Sequence, residues 1–511
     1  MTLGDPDIVV IGSGHNGLVA ANVLARRGFR VLVLEAHPRR PGGALGSEAL
    51  TLPGFVHDVG AAFFPFGRLS PAFRDLKLED FGVEWKNAPI ESAHPAADGS
   101  VACIIREGSS ERPQFGSHRD EARWRKLVER YRRIERPLLD ALLLPFPAIR
   151  PLLSLGPGAA LHLLRIFTSR PRRLAERLFE SEAARRVIPA LGLHVDVGPD
   201  DRFGSALGYM LAMTATTNGY AVPRGGAAAL TNALVTAFER YGGRLVLGAE
   251  VGAIIADGRR AAGVRLTSGE EVRARFAVLA NTAAPTLLLR LCESARMPAR
   301  VVRRMRAFEQ GWGTFKMDWA LSGPVPWSVE AARNSAVVHA GDSIDDLARF
   351  TSEVRAGRLP ENPYLVIGQQ SLLDPSRAPE GRHTLYAYTH VPNRIDGGWP
   401  ARAEHFADVA EARIERLAPG FRSLILARHV ASPPDLEAMD QNLIGGDLGG
   451  GSNAWNHQLL FRPLFPYFRY RMPLAGLYLC SSYAHPGAGV HGMCGYNAAL
   501  TAARDLERAR P

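Results

Sequence analysis

The stretch Asp7–Glu35, DIVVIGSGHNGLVAANVLARRGFRVLVLE, constrains this chain more than any other. It reads as a strand, a glycine turn, a helix and a second strand ending on a carboxylate. Four consecutive β-branched residues, Ile8 to Ile11, run into Gly12-Ser13-Gly14-His15-Asn16-Gly17, which is the G-x-G-x-x-G spacing in the strand-to-helix setting where it carries meaning. Gly12 permits a tight turn, and Gly14 leaves space for a pyrophosphate against the backbone, with His15 and Asn16 in the same turn. Gly17 lets the helix pack closely on the sheet while its N-terminus offers free N–H groups to the anion. The helix carries Leu18, Ala21 and Leu24 on one face, Gly28 stands where a C-cap is expected, and the strand Arg30 to Leu34 delivers Glu35 for a ribose hydroxyl. A carboxylate there repels a ribose 2′-phosphate, which disfavours NADP and leaves NAD or FAD.

After Glu35 comes HPRRPGGALGSEALTLPGFVHDVGAAFF. This segment resembles the phytoene desaturase-like family of FAD-dependent oxidoreductases. In that family an acidic residue is followed by a Gly-Gly pair beside the FAD, which maps onto Gly42 and Gly43 with Ala44 next to them. A P-G-F-x-x-D-x-G strand follows, matched by Pro53, Gly54, Phe55, Asp58 and Gly60. The resemblance continues from Pro223 to Pro285, where it implies that Val251 meets the adenine side through its backbone and that Asn281 ends a strand beside the cofactor. It closes on GLYLCSSYAHPGAGVHGMCGYNAALTAARDL, Gly476 to Leu506, similar to the family's second FAD motif, with Gly489, Gly495 and Asn497. Read without the family, Gly42-Gly43 is equally a loop bend and Val251 equally a core valine.

The G-H-N-G-L turn and the G-x-x-G-Y-N-A-A ending resemble the branch of the family that includes pyridine nucleotide-disulfide oxidoreductase domain-containing protein 2. No redox C-x4-C pair follows the first unit, however, and no second complete G-x-G-x-x-G unit is present. Electrons are therefore expected to leave the flavin for oxygen, a quinone or another acceptor, or to return to the substrate in an isomerisation.

The resemblance implies an α/β fold with a glutathione reductase-like FAD-binding Rossmann domain assembled discontinuously from about 1–90, 215–300 and 470–511. A mixed-sheet plus helical substrate domain would take 91–214 and 301–469. Strands are expected around Thr314 to Ala320 and Tyr364 to Gly368, on period-2 alternation. The glycine-rich segment Asn442 to His457 reads either as a flavin-side loop or as a flexible one. Between about 119 and 190 lies an Arg- and Leu-rich stretch, broken by prolines into amphipathic helices. Helices with solvated arginines and peripheral contact with a membrane surface are both open readings of it.

Hydrophobic residues at 46% and charged residues at 22% of 511 describe an ordinary globular chain and exclude a disordered or fibrous one. The formal charge of +10 fits a basic solvated surface, an anionic membrane or an acidic partner. No nucleic-acid-binding module accompanies it, so nucleic acid is not an expected partner. Cys103, Cys292, Cys480 and Cys494 have neither disulfide nor zinc spacing, so no metal is expected and a reducing cytoplasm suits them. No apolar run reaches the roughly 20 residues of a membrane span. Nothing in the sequence sets the oligomeric state.

His485 and His491 flank the last glycine motif and are the candidate bases near the flavin, with backbone hydrogen bonding as the plainer role for each. Tyr496 and Trp455 read as pocket or core. The expected activity is that of an FAD-dependent dehydrogenase or desaturase, which passes hydride from a small, largely apolar substrate to flavin. The alternatives are an amine oxidase-like oxidase releasing hydrogen peroxide, and a flavoprotein with structural FAD that acts through partners.

Overall fold

The computed structural model describes residues 4–295 and 297–508. Five parallel strands form one sheet in the spatial order Arg244–Val246, Val31–Leu34, Ile8–Ile11, Ala277–Ala280 and Leu477–Leu479. Ile8 pairs with Val31 on one side and Ala277 on the other, and this register brings three distant stretches of chain to one edge of the glycine turn. The three central strands are buried along their whole length, as a parallel sheet covered on both faces requires.

The helix His15–Ala25 departs from the amphipathic reading, because every residue from Asn16 to Ala25 is buried. The sheet lies on one side of it, and the helices Ala227–Arg240 and Met493–Arg508 cover the rest. A Cβ on Gly495 would stand 1.8 Å from the Asn16 carbonyl oxygen, so only glycine allows the C-terminal helix to pack this closely. Asn22, buried inside this stack, donates through Nδ2 to the Leu18 and Leu234 carbonyls, both at 2.9 Å.

A second sheet has eight strands, in the order Ile425–Ala431, Gly313–Leu321, His383–Val391, Leu365–Gly368, Ser335–Ala340, Ile90–Pro95, Val101–Ile104 and Gln114–Phe115. All pairings are antiparallel except that of Ser335–Ala340 with Ile90–Pro95. Phe315, Met317, Trp319, Leu385 and Ala387 pack with Phe406, Ala410 and Ile414 of the helix Ala403–Leu417 in a core of their own. Strand alternation sends the intervening Tyr386, Tyr388 and His390 to the opposite face.

The basic stretch forms a series of helices from His118–Arg132 to Val187–Gly192. Buried Arg186 ties the series to the second sheet by donating to the carbonyls of His94 (2.8 Å), Ser100 (2.7 Å) and Asp342 (3.1 Å). Among the described residues no helix is long and apolar enough to cross a membrane.

Candidate flavin and substrate site

The glycine turn is held by a side-chain network. Ser13 donates to Glu35 Oε2 through its N–H (2.8 Å) and its hydroxyl (2.5 Å), and His37 N–H donates to Glu35 Oε1 at 2.8 Å. Gly42 N–H in turn donates to Ser13 Oγ at 3.2 Å, so turn, carboxylate and Gly-Gly segment form one unit. A Cβ on Gly17 would stand 2.2 Å from the Gly12 carbonyl oxygen, and one on Gly14 2.7 Å from Asn281 Nδ2. Gly42, at φ 101°, would put a Cβ 2.7 Å from the Leu45 carbonyl oxygen, so the loop itself demands glycine there.

The residues present fit a dinucleotide. The helix that starts at His15 has no side-chain cap and no acidic residue in its first turn, leaving N–H groups for a phosphate to accept. Gly14, His15, Asn16, Gly42, Ala44 and Asn281 line one wall of a cavity, and Gly489 reaches the same space. Burial holds His15 at about 4, which leaves its ring neutral beside that wall.

The opposite wall comes from the second sheet and a neighbouring helix: Val337, Val366, Tyr386, Tyr388 and His390 from the strands, Leu207 and Leu211 from the helix Ser205–Thr217. Phe63 and Phe66 close the space between the two walls. The segment after Asn442 is a tied loop at the cavity. Asp447 accepts from the backbone N–H groups of Gly311 (2.9 Å), Gly449 (2.7 Å) and Gly451 (2.7 Å). The buried Arg462 donates to the Gly449 (2.8 Å) and Gly450 (2.9 Å) carbonyls. Burial pushes the Asp447 carboxyl up, and the three N–H donors oppose that shift.

Several expected site residues stand behind the cavity rather than in it. Gly12, Gly17, Glu35 and Gly43 shape the turn and loop, and Gly495 packs on Asn16. Asn497 Nδ2 donates to the Leu143 carbonyl at 2.8 Å. Val251 is buried and pairs with Leu266 in a separate three-stranded sheet.

His485 and His491, the candidate bases near the flavin, are not among the side chains that line the cavity. His485 Nε2 donates to the Leu144 carbonyl at 3.0 Å, and His491 Nδ1 accepts from Met493 N–H at 3.1 Å. Burial holds them at about 4 and about 3. Trp455 is likewise neither pocket nor core but exposed against Phe203, and Tyr496 donates to Asp75 at 3.3 Å near the surface.

The sequence reading missed Tyr386, Tyr388, His390, His194 and Asp196, all of which line the cavity. The period-2 run Tyr386-Ala387-Tyr388-Thr389-His390 was the available signal for three of them. Behind them runs a buried hydrogen-bonded chain: Tyr388 OH to His194 Nδ1 (3.0 Å), His194 Nε2 to His339 Nε2 (2.8 Å), His339 Nδ1 to Ser92 Oγ (2.9 Å) and Ser92 Oγ to His94 Nε2 (3.0 Å).

A parallel-sheet nucleotide turn facing a mixed sheet across an apolar cavity defines an FAD-dependent oxidoreductase. The chain belongs to the flavin containing amine oxidoreductase family, which it matches over residues 17–316. It is 29% identical to pyridine nucleotide-disulfide oxidoreductase domain-containing protein 2 of Mus musculus, over 98% of this chain and 94% of that protein. It is also 29% identical to the zeta-carotene-forming phytoene desaturase of Myxococcus xanthus, over 94% and 90% of the two chains. Among solved structures, an oxidoreductase from Methanosarcina mazei shares the fold with a TM-score of 0.64 at 18% identity, over 98% of this chain and 99% of that one.

Proposed function

We propose that the protein is a dehydrogenase or desaturase that removes two hydrogens from a small, largely apolar molecule. The observation that carries this reading is the apolar wall of Phe63, Phe66, Leu207, Leu211, Val337 and Val366 between the nucleotide turn and the second sheet. The desaturase named among the relatives supports it. Bound FAD supplies the hydride-accepting, two-electron chemistry. The chain's own part is to hold the pyrophosphate at Gly14–Asn16, support the ribose side through Glu35, and orient the substrate in a space from which its apolar walls exclude water. The Tyr388 hydroxyl, hydrogen-bonded to His194 Nδ1 at 3.0 Å, stands at the cavity wall where it can orient the substrate.

Anaerobic mixing of the FAD-loaded protein with apolar alkenes and alcohols tests the reading. A substrate should bleach the flavin absorbance without oxygen, and a quinone should restore it. An amine oxidase-like reading is favoured by one observation, the carboxylates of Asp196 and Asp447 at the cavity. Aerobic peroxide release with an amine, and no bleaching by any other apolar compound, would establish it instead.

We also infer peripheral contact with an anionic lipid surface. The helices Ile149–Ser154 and Gly156–Phe167 turn Ile149, Leu153 and Leu164 outward, at 56%, 75% and 58% exposure, beside exposed Arg150 and Arg165. Exposed Phe465 and the Phe468–Arg469 pair adjoin them through an Arg469 Nε bond to the Phe146 carbonyl. Vesicles containing phosphatidylglycerol should sediment the protein, and a Leu153→Asp, Leu164→Asp variant should stay in the supernatant. Equal sedimentation of both would overturn this contact.

A further inference from the structure

On the second-sheet side of the cavity lies a polar corner, where His390 from the strand His383–Val391 meets Asp196 and Tyr388. His390 is 5% exposed, and its ring nitrogens, beside backbone of Gly313, His194 and Leu193, close no well-aligned hydrogen bond in the protein. The rings of Trp312 and Tyr388 stand edge-on to it at 5.9 Å and confine it without pairing its nitrogens. Buried polar groups left unpaired are destabilising, and at a cavity wall a ligand can supply the missing partner. Burial keeps the ring neutral, opposed by Asp196 and by nearby backbone of Gly313, His194 and Leu193. A neutral imidazole has one donating and one accepting nitrogen.

The groups around it mostly accept. The Asp196 carboxylate is fixed by Ser452 Oγ at 2.6 Å and Asn453 N–H at 2.8 Å, and it keeps lone pairs toward the cavity. The Tyr388 hydroxyl is engaged with His194 Nδ1, and when it donates there its oxygen is left free to accept. No Lys or Arg side chain lines the cavity among the described residues, so the corner offers no cation to an anionic group.

We infer that the substrate is an apolar molecule ending in a single hydrogen-bond-donating head group, a hydroxyl or an amine, seated among His390, Asp196 and Tyr388, and that unfunctionalised hydrocarbons bind poorly. This rests on the apolar-substrate reading above and narrows it. A site built around a substrate's polar group discriminates strongly against the analogue that lacks it, because its own buried groups are then left unpaired.

The test uses FAD-loaded protein and three probes on one isoprenoid skeleton: farnesol, farnesylamine and farnesene. Dissociation constants are read anaerobically from the perturbation of the flavin absorption spectrum. Farnesol or farnesylamine should bind at least about tenfold more tightly than farnesene. His390→Phe, which keeps an aromatic ring and removes both nitrogens, should collapse that difference with FAD content unchanged. Tyr388→Phe should reduce it in part and serves if His390→Phe is poorly folded. Which of the two polar probes binds better identifies the head group as hydroxyl or amine. Equal affinities for all three in the unaltered protein, with clear binding, would overturn the inference and leave the apolar-substrate reading standing. So would a polar preference that survives both substitutions. If none of the three binds while a compact polar amine does, the apolar-substrate reading itself fails and this inference with it.

Discussion

The nucleotide turn and the cavity face of the eight-stranded sheet are built on opposite terms. At the turn, backbone is fitted to backbone: a single methyl on Gly17 would meet the Gly12 carbonyl at 2.2 Å, and one on Gly495 would meet the Asn16 carbonyl at 1.8 Å. At the sheet, the backbone is an ordinary ladder, and side chains from several separate elements define the space: Val337, Val366, Tyr388 and His390 from the sheet itself, with His194 and with Leu211 of the helix Ser205–Thr217. The first arrangement tolerates no change and serves one cofactor. The second can be altered one side chain at a time, which lets one fold accept different substrates around a fixed flavin site.

The sharpest way to break this contrast is Gly495→Ala. It should separate the C-terminal helix from His15–Ala25 and yield protein with little bound FAD and a strongly lowered melting temperature; a normal FAD-to-protein ratio would refute the packing argument. Acid should act next, and on both regions together. Burial holds His15, His57 and His485 at about 4 and His194 and His491 at about 3, so all five are neutral in the fold. The unfolded chain binds protons first, below its histidine value of about 6.5, so stability is flat above that pH and falls as pH drops toward 4. Each histidine contributes a slope of up to about 1.4 kcal/mol per pH unit in that window. Urea unfolding at about pH 7 and about pH 5 reads the difference, and equal midpoints would contradict the buried-neutral assignment.

Glu35→Gln should have a smaller, local effect. It weakens the charge-assisted bonds from Ser13 and His37, and FAD affinity should drop about tenfold to a hundredfold. Isothermal titration of the apoprotein measures it, with an unchanged flavin spectrum expected at saturation. Val337→Ala, on the substrate wall, should leave FAD content intact and raise KM about tenfold for an apolar substrate. A loss of FAD there would erase the distinction between the two regions.

Much of the turn was legible because its demands are local. The spacing of Gly12, Gly14 and Gly17 and the carboxylate of Glu35 appear in the structure as one connected unit. The complete burial of His15–Ala25 was not legible, since the covering helices Ala227–Arg240 and Met493–Arg508 lie more than 200 residues away in the chain. For His485 and His491 the sequence left base and backbone partner both open, since proximity to a glycine motif says nothing about ring direction; each ring bonds a backbone group. Tyr386, Tyr388 and His390 alternate along the chain, a strand signal that does not by itself mark a site. Which face meets the cavity was decided by the helix Ala403–Leu417, whose apolar side covers the other one. Asp196 carries no local signature, because its partners Ser452 and Asn453 come from a distant segment, whereas Asp447 accepts from Gly449 and Gly451 of its own loop as well as from Gly311.

The most direct measurement is the absorption spectrum of the purified protein, followed by heat release and identification of its chromophore and by addition of dithionite and of NADPH to separate samples. FAD at one equivalent per chain, bleached by dithionite and untouched by NADPH, is the expected result. A colourless protein that takes up no added FAD would contradict the assignment of the turn as a flavin site.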